Sequence, residues 1–186
     1  MTVHAKMYDG KPVQTEQRWR RDGLFSSKDQ TWRTPLPLFR MFDEVFDFDL
    51  DAAATDESAL CERFLTERED ALSLDEWPGD RVWLNPPYGR QVGSFVCKAK
   101  EQAREHGKTV AVLIFARTDT VWWHEHAMSA DEIFLIRGRL RFSKGEEKAG
   151  SAPAPSAVLI FRGRSVAQAA PRVQSLRVPR DNSDPS

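Results

Sequence analysis

The segment Asn85-Pro86-Pro87-Tyr88-Gly89, which follows directly on the apolar run DRVWL of residues 80–84, combines residue types suited to one kind of chemistry. The side-chain carbonyl of Asn85 and the backbone carbonyl of Pro86 are two hydrogen-bond acceptors. A conjugated amine is a poor nucleophile because its lone pair is delocalised into the ring. Acceptors aimed at both of its N–H bonds would draw the nitrogen toward a tetrahedral, nucleophilic shape. Pro86 and Pro87 fix φ, remove competing donors and hold Asn85 extended, so both oxygens are placed in advance. Fixed dipoles aimed at developing charge are among the strongest means of lowering a barrier. Tyr88 adds a flat face for a planar base, which must leave its stack before an enzyme can reach its amino group. Asparagine is no strong base and need not be one, since the proton can leave to water once the new bond has formed. The bland alternative is a proline-rich turn that merely ends a strand.

To meet a substrate these residues must stand at the end of a sheet. Thr34-Pro35 punctuates the start of a helix over Leu36–Phe46, with Thr34 as the cap and Pro35 at the first helical position. Residues 46–54 (FDFDLDAAA) read as a strand ending near Asp51, then a tight turn of small residues that lets a ligand approach the backbone. Residues 58–64 read as a short helix, 64–66 as a brief strand and 67–70 as an acidic turn. Residues 80–84 have the short apolar run of a strand buried on both faces. The stripe Val92, Phe95, Val96, Ala99 and Ala103 predicts an amphipathic helix ended by Gly107. Residues 109–116 (TVAVLIFA) form the clearest buried strand; residues 121–128 read as helical, and residues 132–136 and 157–161 as two further strands. Residues 143–156, rich in Gly, Ala, Pro and charge, read as a long functional or mobile loop. Strands alternating with helices predict a doubly wound, mostly parallel α/β sheet, with an antiparallel final pair. Ligands bind such sheets at the carboxyl ends of the strands, where Asp51 and Asn85 both fall.

The chain has 186 residues, 30% of them charged, and a formal net charge of -1, which excludes nucleic-acid binding through bulk positive charge but not through a local basic face. No stretch approaches the roughly 20 apolar residues that span a bilayer. The two cysteines, Cys61 and Cys97, lack metal-ligand spacing and read as reduced thiols of a cytoplasmic protein. His124-Glu125-His126 puts its histidines on different sides of a helix, so no metal is assigned. Residues 1–30, with Arg18, Arg20 and Arg21 around Trp19, read as a flexible basic arm, either a solvated terminus or one that touches nucleic acid. Residues 165–186 read as a disordered tail.

At these residues the chain resembles the bacteriophage and prophage DNA N6-adenine methyltransferase family, the phage Dam type. The resemblance runs from about Trp32 to Phe161. It rests on Trp32-Arg33-Thr34-Pro35, Phe48-Asp49-Leu50-Asp51-Ala52-Ala53-Ala54, Asn85-Pro86-Pro87-Tyr88-Gly89, Ala116-Arg117-Thr118-Asp119-Thr120, Gly138-Arg139-Leu140-Arg141-Phe142 and Ser151-Ala152-Pro153-Ala154-Pro155-Ser156, all in the same order. It implies an S-adenosylmethionine-dependent methyltransferase (Rossmann-like) domain over residues 31–164. It also implies transfer of a methyl group from that cofactor to a flipped-out adenine in duplex DNA, in the cytoplasm of a bacterial host. By this resemblance Asn85, Pro86, Pro87 and Tyr88 are catalytic. Trp32, Thr34 and Pro35 lie beside the cofactor's amino-acid end, Asp51 and Ala52 belong to its loop, and Asp70 accepts its adenine amino group. The chain departs from a Gly-x-Gly signature at Ala52, Ala53 and Ala54. On structure alone, Asp51 could instead cap the next turn and Asp70 be plain surface charge.

Charge is segregated: residues 41–80 hold fourteen acids against two bases, and residues 137–186 hold ten bases against four acids. If residues 137–141 continue as a strand, Arg137, Arg139 and Arg141 share one side, and with Lys144 they suit DNA phosphates. A strand edge protected by charge reads equally well. Arg117, with Thr118 and Asp119, either positions cofactor or base, or caps a turn. Rival readings are amino methylation of cytosine N4, of RNA or of a protein glutamine, and an inactive DNA-binding module of the same fold. No obligate protein partner is legible.

Overall fold

A computed structural model of the chain describes residues 33–163 and 170–179, together with the backbone of residues 7, 8, 11 and 12; residues 145 and 146 are excepted, and residues 143, 144 and 147–150 are described by backbone alone. The basic cluster around Trp19, and Trp32 itself, lie outside the described residues. Strands β1 (Met7–Tyr8) and β2 (Lys11–Pro12) form a small antiparallel pair within the segment expected to be a flexible arm.

Helix α1 (Leu36–Phe46) forms where expected, but its cap is Pro35, in extended conformation, and not Thr34, whose side chain makes no capping bond. The Pro35 carbonyl instead receives the amides of Leu38 and Phe39, at 3.0 and 3.1 Å. A proline can stand at either place because the first helical amides have no intrahelical acceptor to lose. The helix stops at Asp47, which adopts a left-handed φ of 51° while the Asp43 carboxylate receives the Phe48 amide. A three-residue link then enters β3 (Leu50–Asp51). No helix follows over residues 58–64. The Asp51 carboxylate takes the Leu60 amide and the Ser58 hydroxyl takes the Thr55 amide, so local side-chain bonds hold turns in place of a helix. Phe64 makes a single parallel bridge to Asp51, the remnant of the brief strand expected there.

β4 (Arg81–Leu84), α2 (Val92–His106), β5 (Thr109–Phe115), α3 (Val121–Glu125) and β6 (Glu132–Ile136) follow in the expected alternation. Gly107, at φ 74°, ends α2 as a residue free of Cβ strain. The 143–156 segment is not a structureless loop. It contributes to an antiparallel hairpin, β7 (Arg141–Lys144) and β8 (Glu147–Ser151), before β9 (Ser156–Arg162) returns to the main sheet. The tail beyond Arg164 likewise contains an element, β10 (Arg172–Leu176).

The main sheet has the order β10-β6-β9-β5-β4-β3, and only β9 runs antiparallel to its neighbours. The fold is therefore α/β with a mostly parallel sheet, and β6 and β9 form the expected antiparallel pair. Alternation along β5 sorts the core into two layers. Val110, Val112 and Ile114 meet Phe95, Val96 and Ala99 of α2, while Ala111, Leu113 and Phe115 share the face covered by Leu38, Phe39 and Phe42 of α1. Each of the Val, Leu, Ile and Phe side chains among them, when fully buried, contributes roughly 1.5–3 kcal/mol. Trp83, fully buried, is boxed by Phe39, Phe42 and Phe48 at ring separations of 5.4, 6.2 and 5.5 Å. That box anchors β4 two residues before Asn85. Among the described residues no helix is long and apolar enough to cross a membrane.

Candidate active site

Because β4 lies between β3 and β5, the chain leaving Leu84 emerges at the carboxyl edge with a strand end on either side. Asp51 is in register with Trp83, and the Ala52 amide donates to the Trp83 carbonyl at 2.9 Å, so the loop after β3 leaves the sheet beside Asn85. On the other flank β5 ends at Phe115, and Arg117 follows two residues on.

The two ends of the Asn-Pro-Pro-Tyr segment are joined to each other, and Tyr88 packs against the sheet. The Tyr88 ring stacks on Phe115, with centroids 4.1 Å apart and planes 21° from parallel, and meets the edge of Phe142 at 6.0 Å. Its hydroxyl donates to Asn85 Oδ1 at 3.0 Å. Burial pushes the Tyr88 phenol well above the usual tyrosine range, so it stays protonated and a donor. Phe115 and Phe142 carry no local signature of a site. Phe115 was readable only as the last apolar residue of the strongest strand, and Phe142 only as part of the Gly138–Phe142 match.

Asp51 is 3% exposed and bonds the loop that follows it, receiving the Ala53 amide at Oδ1 (3.4 Å) and the Leu60 amide at Oδ2 (3.2 Å). Burial raises its pKa to about 6, and the two amides oppose that rise. The carboxylate thus shapes the loop through residues 52–60. Cys61, nearby, is pushed up to about 12 by burial and by the charges of Asp51, Asp43 and Asp49, which makes it an unreactive thiol. The same loop is tied to the start of α1 by an ion pair from Arg33 to Glu57 at 3.1 Å. This brings Thr34 and Pro35 toward the loop, with Thr34 buried. Asp70 sits in an exposed turn at φ 47°, where its Oδ1 receives the Leu72 amide. It is five residues beyond Leu65, whose amide donates to the Asp51 carbonyl.

The arginines do not share the side of one strand. β6 ends at Ile136, Gly138 turns the chain at φ 85°, and β7 begins only at Arg141. The rule that residues i, i+2 and i+4 line one face fails because the backbone between them is not extended. Arg137, Arg139 and Arg141 are nonetheless all exposed, around the buried Leu140 and Phe142 that root the hairpin. Lys144 lies within the hairpin; its side chain is not described.

A small-residue loop shaped by a buried acid, next to two rigid carbonyls and an aromatic ring, can hold a small polar cofactor against a planar amine. The chain is similar to known proteins along most of its length. The profile of the family described as DNA N-6-adenine-methyltransferase (Dam) matches residues 23–181. The chain is 30% identical to the DNA N-6-adenine-methyltransferase of Haemophilus phage HP1 (strain HP1c1) over 145 residues, which cover 75% of this chain and 82% of that protein. It is 35% identical to the DNA N-6-adenine-methyltransferase of Escherichia phage T1 over 131 residues, 62% of this chain and 54% of that protein, about half its length. With a match along most of its length, this chain belongs to the DNA N-6-adenine-methyltransferase (Dam) family.

Proposed function

We propose that the protein methylates the exocyclic N6 of adenine in double-stranded DNA, using S-adenosylmethionine. The observation that carries this reading is the Asn85–Tyr88 unit, held at a strand end between the β3 loop and the end of β5. The names of the phage relatives supply the substrate class.

The residues present fit the cofactor. Ala52, Ala53 and Ala54 carry only methyl side chains, which keeps the loop's bulk low, and Asp51 gives that loop its shape and would set a negative charge beside a cationic ligand. Asp51, Ala52, Thr34, Pro35 and Trp32 would hold the cofactor's amino-acid and ribose parts, and Asp70 its adenine. When bound, S-adenosylmethionine supplies an electrophilic methyl group on a sulfonium.

The chain's own residues do the rest. Asn85 Oδ1 and the Pro86 carbonyl accept the two N–H bonds of the target amine and raise its nucleophilicity. Tyr88 presents its ring to the extruded base, with Phe115 behind it. Holding the amine in place replaces an encounter from solution by a first-order event. The proton is released to water after the transfer, since Asn85 is no strong base. The exposed Arg139 and Arg141, with Arg117 and Lys144, contact phosphates, and the β7–β8 hairpin reaches toward base edges. The catalytic unit spans residues 31–164 with β10 added at its sheet edge. The bacterial cytoplasm is the site of action.

The test is methylation of methyl-free DNA with labelled cofactor, followed by digestion to nucleosides. N6-methyladenine is the expected product, and N4-methylcytosine would overturn the reading. Asn85→Ala should lower the turnover rate at least about 100-fold with an unchanged circular dichroism spectrum. A fully active variant would refute the catalytic assignment.

A further inference from the structure

We infer that Gln102 and Trp77 are positioning residues for cofactor recognition: two buried hydrogen bonds, running from helix α2 through Trp77, set the Asp70 turn where its carboxylate meets the cofactor's adenine. The inference rests on the function proposed above, with Asp70 as the acceptor for that adenine, and adds to it what holds the acceptor in place.

Asp70 is exposed, and the bonds it makes among the described residues stay within its own turn. Its amide donates to the Thr66 carbonyl at 3.2 Å, its carbonyl accepts the Ser73 amide at 2.9 Å, and its Oδ1 receives the Leu72 amide at 3.2 Å. A carboxylate has about four lone-pair sites, so acceptor capacity remains. Local bonds give a turn its shape, but its location comes from what the flanking chain is tied to. Upstream the tie is to the sheet: the Leu65 amide donates to the Asp51 carbonyl and the Leu65 carbonyl accepts the Ala54 amide, both at 2.9 Å. Downstream the tie is to Gln102.

Gln102 is the one polar residue among the buried residues of α2, and it is fully buried. Space filling alone calls for an apolar side chain, as at Val96 and Ala99 of the same stripe. A buried amide must instead find partners, and both ends of this one find them in the loop's main chain. Oε1 receives the Trp77 amide at 2.8 Å, and Nε2 donates to the Asp75 carbonyl at 2.6 Å. Among side chains of this length only glutamine offers an acceptor and a donor side by side. Trp77 is fully buried in turn, and its indole Nε1 donates to the carbonyl of Ala71, the neighbour of Asp70, at 2.7 Å. The two bonds that lead from the helix to that neighbour both lie away from water, where each is strengthened and costly to break.

Calorimetry with S-adenosylhomocysteine, and with its analogue lacking the purine 6-amino group, reads the contact at Asp70. The parent protein should favour the amino compound about ten- to hundredfold, the size of a hydrogen bond to a charged acceptor. Gln102→Met nearly keeps the volume and removes both loop bonds. Trp77→Phe keeps an aromatic ring and removes only the last link, the indole N–H. Each should cut the preference to less than about threefold, by weakening the amino compound alone. In the Asp70→Ala background neither should change it further. A readout without ligand is hydrogen exchange: the Leu72 amide, bonded to Asp70, should exchange about tenfold faster in either variant. Residues that merely support the fold would weaken both compounds alike. That result, unchanged Leu72 exchange, or a parent protein without the preference would overturn the inference. The two ideas fail separately. A parent that binds no S-adenosylhomocysteine removes the proposed function and this inference together, whereas folded Gln102→Met and Trp77→Phe proteins that keep the full preference remove the inference alone.

Discussion

The two ends of the one sheet are built from different materials. At the amino edge charges are matched by charges. Lys108, almost wholly buried, pairs with Glu76 at 2.9 Å, and Asp131 receives Arg104 at 3.2 Å and the Arg162 amide at 2.7 Å. At the carboxyl edge the buried acid, Asp51, receives two backbone amides, and burial raises its pKa further than those amides lower it. Beside it the rings of Tyr88, Phe115 and Phe142 pack on one another. Matched charges close a structure, while an acid without a cation and rigid acceptors leave interactions open for a ligand to complete.

Breaking the amino edge should therefore harm stability and spare chemistry. Asp131→Ala leaves Arg104 and the Arg162 amide without their buried acceptor and should lower unfolding stability by about 3 kcal/mol. Turnover per folded molecule should stay unchanged. Urea melts with activity assays on the same samples check this, and a loss of turnover in fully folded protein would erase the division between the two ends.

Asp51 sharpens the contrast through pH. Its folded pKa of about 6 lies above the ordinary 3.8, so between those values the folded chain binds more protons than the unfolded one. Stability from this group is full below pH 3.8 and falls as pH rises to about 6, by about 2–3 kcal/mol in all. A carbon-detected NMR titration of the Asp51 carboxyl should give a midpoint near 6. A midpoint near 4 would mean that a cation partner stands at that end too. The smallest expected effect is at the surface. Replacing Arg139 and Arg141 by Ala should flatten the dependence of log K for DNA on log salt by about 2. An unchanged slope would take these side chains out of the DNA face.

What the sequence disclosed follows the same division. The strand and helix bounds at 36–46, 92–106 and 132–136 were legible because buried faces impose a period and Gly107 stops the helix. The Asn85–Tyr88 unit was legible because its chemistry is local in sequence. β10 was not: an edge strand with most side chains in solvent needs no apolar pattern, and Arg172-Val173-Gln174-Ser175-Leu176 shows none. The hairpin escaped notice because Glu147-Lys148-Ala149-Gly150-Ser151 shows no apolar pattern either. Residues 58–64 misled because the Asp51 carboxylate, from outside that segment, captures the Leu60 amide. The rings of Phe115 and Phe142 against Tyr88 come from elements distant in sequence, which no local window contains.

The one reversed strand has a consequence for how this protein is made. β9 pairs with β5 over seven residues and with β6 over four, yet it leaves the ribosome after both of them and after the hairpin. Until Arg162 emerges, β5 and β6 lack the strand that both of them pair with, and an unpaired strand edge can accept another extended chain. Insertion of β9 is then the event that completes the core and, through the Phe115–Ser156 pairing, draws the root of the hairpin against the ring of Tyr88. A nascent chain has no assembled base-handling wall before β9 is in place, because Ser156 pairs with Phe115 only then.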